Sequence, residues 1–353
     1  MAGFLQALGV RLPIIQAPMA GTSTPALAAA VNAAGGLGSI AVGAGSAKSA
    51  GETIRALKGL TEGAFNVNLF CHQPARRDAG REAAWLAALS GPFAEFGAVP
   101  PLGLDEIYTS FVADNEMLEQ ILATRPPVVS FHFGLPPVDR IQALRDAGIG
   151  MMATATCRAE ADLICAAGLD AIVAQGIEAG GHRGIFDPDS ADQGLSTADL
   201  VRSLVGHVNL PVMAAGGLMT GSDIAAMLSL GAEAAQLGTA FVACPESSAD
   251  AAHRQALLGG ASGQTVITSA ISGRPARCLE NGFTRLSARL AQLTPPDYPL
   301  AYDAGKALNL AARAAQNFGF GAQWSGTGAA RARALPAADL MAALEAELLG
   351  ARG

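Results

Sequence analysis

The sequence predicts an α/β fold, a closed (β/α)8 barrel, and three observations carry that prediction. Short apolar runs alternate with helical stretches through most of the first 243 residues. Eight such runs can be read, and parallel strands joined by helical crossovers produce that rhythm. The 42 glycines cluster at the ends of the runs, where tight strand-to-helix turns need them. A doubly wound open sheet also explains alternation, but eight parallel units fit a closed sheet better.

The elements follow in order. Leu12–Ala17 is the first strand, and Thr24 and Pro25 then open a helix as N-cap and first helical residue. That helix ends at Gly35 and Gly36, before the second strand, Leu37–Val42. A helix near Ala47–Leu57 leads to the third strand, Phe65–Phe70. From about Cys71 to Arg125 the rhythm stops; helical stretches around Arg77–Leu89 and Asp105–Ala123 form the usual third helix plus an insertion. Strands four and five are Val128–Phe133 and Gly150–Ala155, followed by helices over Val138–Ala147 and Arg158–Ala167. The sixth, Ala171–Gln175, runs into a long glycine-rich loop and a helix over Ala198–Val205. Pro211–Ala215, the helix Gly221–Leu230 and Ala234–Leu237 complete the eight. Residues 1–243 are thus read as the barrel, and 244–353 as a mainly helical segment packed on it and reaching the substrate pocket.

Composition narrows the class. Half of the residues are apolar, enough for a large core. A net charge of −7 argues against a general nucleic-acid surface. Arg76 and Arg77 read as a solvated loop. Cys71, Cys157, Cys165, Cys244 and Cys278 are odd in number, widely spaced and without a C-x-x-C pair, so neither disulfide framework nor zinc site is expected. No leader pattern and no membrane span are read, because Asn32 and the Gly35-Gly36 pair break the one long apolar stretch. A cytoplasmic enzyme, monomeric or homodimeric, is expected, with no nucleic-acid or membrane partner.

In this fold chemistry sits where strands end and βα loops begin. Gly216 and Gly217 follow strand seven, while Gln236, Gly238 and Thr239 lie at the end of strand eight. Those two loops are the usual phosphate site of the fold, and glycines let backbone N–H groups approach a ligand closely. Two merely tight turns are the bland reading. Strand six ends at Gln175, whose amide suits a cofactor ring, and its loop carries Gly180, Gly181 and His182. An imidazole at such a rim can exchange a proton or bond a developing anion. His132 shares a face of strand four with Val128 and Ser130, and either enters the barrel mouth or packs against a helix. Asn68 shares a face with Asn66 on strand three and reads as a ligand contact, asparagine being a poor strand former. His72, His207 and His253 read as ordinary surface or loop residues. No metal-ligand spacing and no nucleophile motif is visible, so an organic cofactor has to carry hard chemistry. A phosphate-bearing cofactor with amide contacts to its ring suggests FMN. A Rossmann dinucleotide site is not supported, since G-x-G-x-x-G is missing after the first strand.

These residues resemble a known family. Gln16-Ala17-Pro18-Met19-Ala20-Gly21, Asn66-Val67-Asn68, Gln175-Gly176 with Glu178 through Gly184, Ala215-Gly216-Gly217 and Gln236 through Ala240 are similar to nitronate monooxygenases. The likeness runs in order along nearly the whole chain. The segment Tyr298 to Asp303, with Lys306 and Trp324-Ser325-Gly326, is similar to the bacterial class I members. The resemblance implies FMN held by Met19, Asn68, Gln175, Gly180, Gly217 and Gln236–Thr239. It implies a catalytic His182 and a substrate surrounded by Tyr108, Tyr302, Lys306 and Trp324, with Tyr298 nearby. It further implies oxidation of alkyl nitronates, typically propionate 3-nitronate, by O2 without a nicotinamide. Some class I members carry tyrosine where this chain has His253, which implies a pocket of different shape or charge. A flavin-dependent enoyl-acyl-carrier-protein reductase shares the His182 loop and is the competing reading; a non-catalytic flavin module ranks below it.

Overall fold

A computed structural model describes residues 3–259 and 264–352. Its strands are β1 Ile14–Gln16, β2 Gly38–Ala41, β3 Phe65–Phe70, β4 Val128–His132, β5 Gly150–Ala155, β6 Ala171–Gln175, β7 Gly181–His182, β8 Val212–Ala215, β9 Ala234–Leu237, β10 Thr265–Thr268 and β11 Ala276–Leu279. Eight of them form one parallel sheet in the order β1-β9-β8-β6-β5-β4-β3-β2. The two edges meet: Gln16 N–H donates to Leu37 O at 3.0 Å, and Leu37 N–H to Ile14 O at 2.9 Å. The sheet therefore closes into the expected (β/α)8 barrel, and each predicted barrel strand lies within two residues of its observed ends.

Side-chain alternation divides the core into two layers. Val67, Val129, Phe131, Ile172 and Ala174 face outward and pack against the helices. Val128, Met152, Ala171, Val173 and Met213 face inward, and Leu5, from the helix Phe4–Ala7, joins them near the strand starts. Above that apolar plug the interior turns polar. Ser39 N–H donates to Gln16 Oε1 at 2.9 Å, and Asn66 Nδ2 to Ser39 Oγ at 3.3 Å. Asn66 and Asn68 do share the inner face, as the period of two requires.

Helix starts follow local chemistry. Thr24 Oγ1 accepts from Leu27 N–H at 3.0 Å with Pro25 behind it, the predicted cap. In the excursion after β3 the helices are Ala79–Glu95 and Asn115–Thr124. Residues 105–114 are not helical, contrary to the sequence expectation. Asp114 is the reason: its Oδ1 accepts from Met117 N–H at 2.9 Å and starts the helix there. The irregular stretch before it brings Tyr108 under the aromatic cluster of Phe133 and Tyr298.

The C-terminal part corrects the sequence reading in one respect. It holds the helices Ala251–Leu258, Gly282–Arg289, Leu300–Ala314 and Ala337–Arg352, but also the hairpin β10-β11. β11 pairs antiparallel with β7, matching Ala276 to His182 and Arg277 to Gly181. The segment read as a free loop is thus pinned as a sheet edge. A two-residue strand has no periodicity to read, and its partner lies far along the chain. Helix Ala337–Arg352 buries Leu340, Met341, Leu344 and Leu348 in the outer layer of the barrel core itself. Among the described residues no helix is long and apolar enough to cross a membrane.

Candidate active site

The strand ends converge on a cavity of about 560 Å3. It gathers Met19, Asn68, Gln175, Gly180, Gly181, Gly216, Gly217, Gln236, Gly238 and Thr239 with Tyr108, His132, His182, Tyr298, Tyr302, Lys306 and Trp324. Residues singled out from nine separate stretches of sequence therefore share one enclosure.

One wall is a cradle of backbone. Gly216 and Gly217 have φ of +135° and +70°. Positive φ at two successive residues makes a tight turn with exposed backbone N–H groups, the kind of concavity in which anions bind. Within the described residues no hydrogen bond uses the N–H of Gly216, Gly217 or Gly238. A Cβ on Gly216 would stand 2.5 Å from Thr197 Oγ1, so no side chain fits there. Thr239 Oγ1 accepts from Gly326 N–H at 2.9 Å, which leaves its hydroxyl proton for another acceptor.

A second group of contacts is built around His182. Its carbonyl accepts from Gln175 Nε2 at 2.9 Å and from His132 Nε2 at 3.2 Å. Its own Nε2 lies 2.9 Å from Ser272 Oγ, and Ser272 donates to Arg274 O at 3.2 Å. A serine hydroxyl has one proton, so satisfying both contacts places the imidazole proton on Nε2. Nδ1 then carries the lone pair and has no protein partner among the described residues. His132 is fixed likewise: Nε2 donates to His182 O and Nδ1 accepts from Thr154 Oγ1 at 3.1 Å. His132 thus enters the barrel mouth, with both ring nitrogens occupied in holding its neighbour.

The Gln175 amide is equally determined. Its Oε1 accepts from Gly184 N–H at 2.8 Å and from the fully buried Arg183 at 3.1 Å. Arg183 is itself held by a two-pronged pair with Asp192, at 2.6 and 3.1 Å. The amide oxygen is consumed, and the second N–H remains as a donor. Asn68 Nδ2 donates to Ser130 Oγ at 2.9 Å.

Burial sets the charges. It drives His182 down to about 3, helped by His132, Arg274 and His72. It takes His132 to about 4, although the bond to His182 O opposes it. Burial pushes Tyr108 up to about 12 and raises Tyr298 and Tyr302 as well. Near neutral pH the site therefore offers a neutral imidazole and three protonated phenols. Lys306 lies over the rings of Tyr108 and Tyr302, at 4.8 and 5.2 Å, its pKa lowered by burial against the pull of Asp303.

Two histidines depart from the sequence expectation. His72 is not at the surface but 1% exposed, its ring 5.0 Å from Tyr298 and neither nitrogen hydrogen-bonded among the described residues. Nothing in the run Cys71-His72-Gln73 marks it as buried, because long-range packing of Tyr298 covers it. His253 lines the cavity, with Nε2 3.2 Å from Ser325 Oγ. His207 does lie at the surface, paired with Asp162 at 2.8 Å. Arg76 is exposed as expected but ion-paired, to Asp189 and Asp297 at 2.7 Å each. Ser272 was not foreseen, since it lies 90 positions from the histidine it bonds. Among the described residues no group of His, Cys, Asp or Glu could hold a metal ion.

The buried histidines give an acid-sensitivity prediction. Burial lowers His72 to about 4, with Arg274 adding to the shift. Unfolded imidazoles take protons below about pH 6.5, whereas these folded ones resist until near pH 4. The unfolded state binds more protons in that window, so stability falls as pH drops through it. His72 alone accounts for about 3 kcal/mol at pH 4. Thermal unfolding followed between pH 7 and 4.5 should show a falling Tm that His72→Leu makes shallower; parallel slopes for the two proteins would contradict this.

A closed barrel whose C-terminal strand ends open on one cavity, roofed by the excursion and the C-terminal segment, defines the class: a (β/α)8-barrel enzyme working at that mouth. The chain belongs to the nitronate monooxygenase family, whose model matches residues 4–347. It is accordingly an oxidoreductase. It is 58% identical over 344 residues to nitronate monooxygenase of Paraburkholderia phytofirmans, covering 98% of this chain and 94% of that one. Nitroalkane oxidase from Streptomyces ansochromogenes superposes with a TM-score of 0.89 at 41% identity, over 99% of this chain and 98% of that one. FabK from Thermotoga maritima is more distant, with a TM-score of 0.73 and 27% identity over 99% and 97% of the two chains.

Proposed function

We propose that the protein is an FMN-dependent nitronate monooxygenase that oxidises alkyl nitronates with O2, propionate 3-nitronate among them, to a carbonyl compound and nitrite or related nitrogen oxides. The observation that carries this reading is one cavity lined both by a glycine cradle suited to an anion and by an imidazole amid phenols and an amine. The residues fit FMN. The unused N–H groups of Gly216, Gly217 and Gly238 and the hydroxyl of Thr239 suit a phosphate. The spare Gln175 N–H and Asn68 suit the polar edge of a ring. Met19, Gly180, Gly181 and Gln236 complete that side of the enclosure. When bound, FMN supplies the electron-accepting ring.

The remaining work falls to the chain. Phenol O–H groups of Tyr108, Tyr298 and Tyr302 and the Lys306 ammonium are donors, the partners that nitronate and carboxylate oxygens require. Trp324, 5.0 Å from the His182 ring, and the other aromatics exclude water from the reacting atoms. His182 Nδ1 carries the lone pair of a neutral ring and takes the proton of a neutral nitroalkane as the nitronate anion forming beside it offsets the burial that lowers its pKa. Ser272 keeps that lone pair on Nδ1. Ser272→Ala is expected to lower kcat/KM roughly ten-fold, and an unchanged pH profile and rate in that variant would contradict the role. Oxygen uptake and nitrite release with propionate 3-nitronate, in the absence of nicotinamide, test the whole reading. Failure of both, with rapid NAD(P)H oxidation on an enoyl thioester, would replace it by a reductase.

A further inference from the structure

Behind the rings that face the cavity lies a cation for which the reaction above has no use. Arg274, 4% exposed, sits between β10 and β11. Its guanidinium carbon is 4.5 Å from the centre of the Phe133 ring. One terminal nitrogen donates to Phe186 O at 3.4 Å, and the other, Nη1, is buried with no partner among the described residues. Arg183, also buried, has a carboxylate at 2.6 Å, whereas Arg274 has none within ion-pair distance among the described residues. Glu160, Asp187 and Asp297 act on it only from farther away. Each is committed elsewhere: Glu160 to Thr156 and Phe186 N–H, Asp187 to Ser190, and Asp297 to Arg76 and Arg81.

An unpaired buried guanidinium is costly, and so is the residue that separates it from the cavity. Phe133 has φ of +73°, a backbone conformation that bulky side chains avoid, and is 1% exposed. Its ring stands 5.5 Å from that of His182 and 5.2 Å from that of Tyr298, both of which line the cavity. One aromatic ring therefore insulates a fixed positive charge from the site without letting water screen it.

We propose that Arg274 is a specificity-determining residue, whose buried unpaired charge behind Phe133, His182 and Tyr298 makes the cavity prefer anions over neutral molecules of the same shape. A charge in a poorly screened interior acts across several ångströms, so Arg274 needs no contact with the ligand. The same field helps hold His72, His132 and His182 neutral, secondary in each to burial. The proposal deepens the nitronate reading, since a nitronate is an anion and its parent nitroalkane is not, but its test does not depend on turnover.

The test compares acetate with acetamide, alike in shape and different in charge, by calorimetric titration of the cofactor-loaded protein. Wild type should bind acetate more tightly than acetamide. Arg274→Met should weaken acetate roughly ten-fold and leave acetamide unchanged, with a Tm equal to or above that of wild type because an unpaired charge is gone. Arg274→Gln, which retains a donor for Phe186 O, should give the same selectivity loss. No acetate preference in wild type, or equal weakening of both ligands in either variant, would overturn the proposal. Loss of nitronate turnover in wild type would instead strike only the reaction assigned above.

Discussion

His182→Asn is expected to lower kcat/KM for a neutral nitroalkane by 10²–10⁴-fold, the range for loss of a positioned proton acceptor. Asparagine can still offer a donor to Ser272 Oγ, so the wall of the site should keep its shape. What disappears is the lone pair at Nδ1. Cofactor content should not change, because the backbone N–H groups of Gly216, Gly217 and Gly238 are untouched by the substitution. A preformed nitronate has already lost the proton, so its turnover should suffer less than that of the nitroalkane. Steady-state kinetics with both substrates, alongside the flavin-to-protein ratio, make the comparison. Equal losses for both substrates would remove the assignment of Nδ1 as proton acceptor, and unchanged turnover of both would remove His182 from catalysis.

The second large effect is expected at Gly216. With φ of +135° this residue occupies backbone space that side chains rarely enter, and an added methyl would collide with Thr197 Oγ1 at 2.5 Å. Thr197 cannot easily yield, since its hydroxyl is bonded to Glu178 at 2.8 Å and its N–H to the same carboxylate at 2.8 Å. Gly216→Ala must therefore shift the turn that presents the N–H groups of Gly216 and Gly217. FMN affinity should fall at least ten-fold, on the order of losing one or two charge-assisted hydrogen bonds. Fluorescence titration of the protein with FMN reads this directly. Full cofactor retention in a folded Gly216→Ala protein would show that the phosphate is gripped elsewhere.

The barrel was legible because its signals are local. Val128, Ser130 and His132 alternate with Val129 and Phe131, and that period puts the first set on one face, which the assembled barrel turns inward. Gly216 and Gly217 could be read because a fold regularity says which loops meet a phosphate, so two distant turns could be judged together. What remained hidden depends on contacts far apart in sequence. Ser272 and His182 are joined by a hydrogen bond that no spacing announces. His72 is covered by Tyr298 and Phe133, whose positions only the assembled barrel mouth decides. The hairpin β10-β11 was missed because Thr265–Thr268 and Ala276–Leu279 are short, and β11 also pairs with the distant β7 edge. Tyr108 entered only through the family likeness; the loop that delivers it has no regular structure to read.

The pairing of β7 with β11 has a consequence for biosynthesis. The eight strands are complete by Leu237, whereas the apolar cover of their outer face is finished only by the helix Ala337–Arg352. The imidazole likewise gains its ring partner and its β-edge only when Ser272 and Ala276 emerge. A polypeptide released early should therefore lack both a sealed core and an aligned histidine, and be inert.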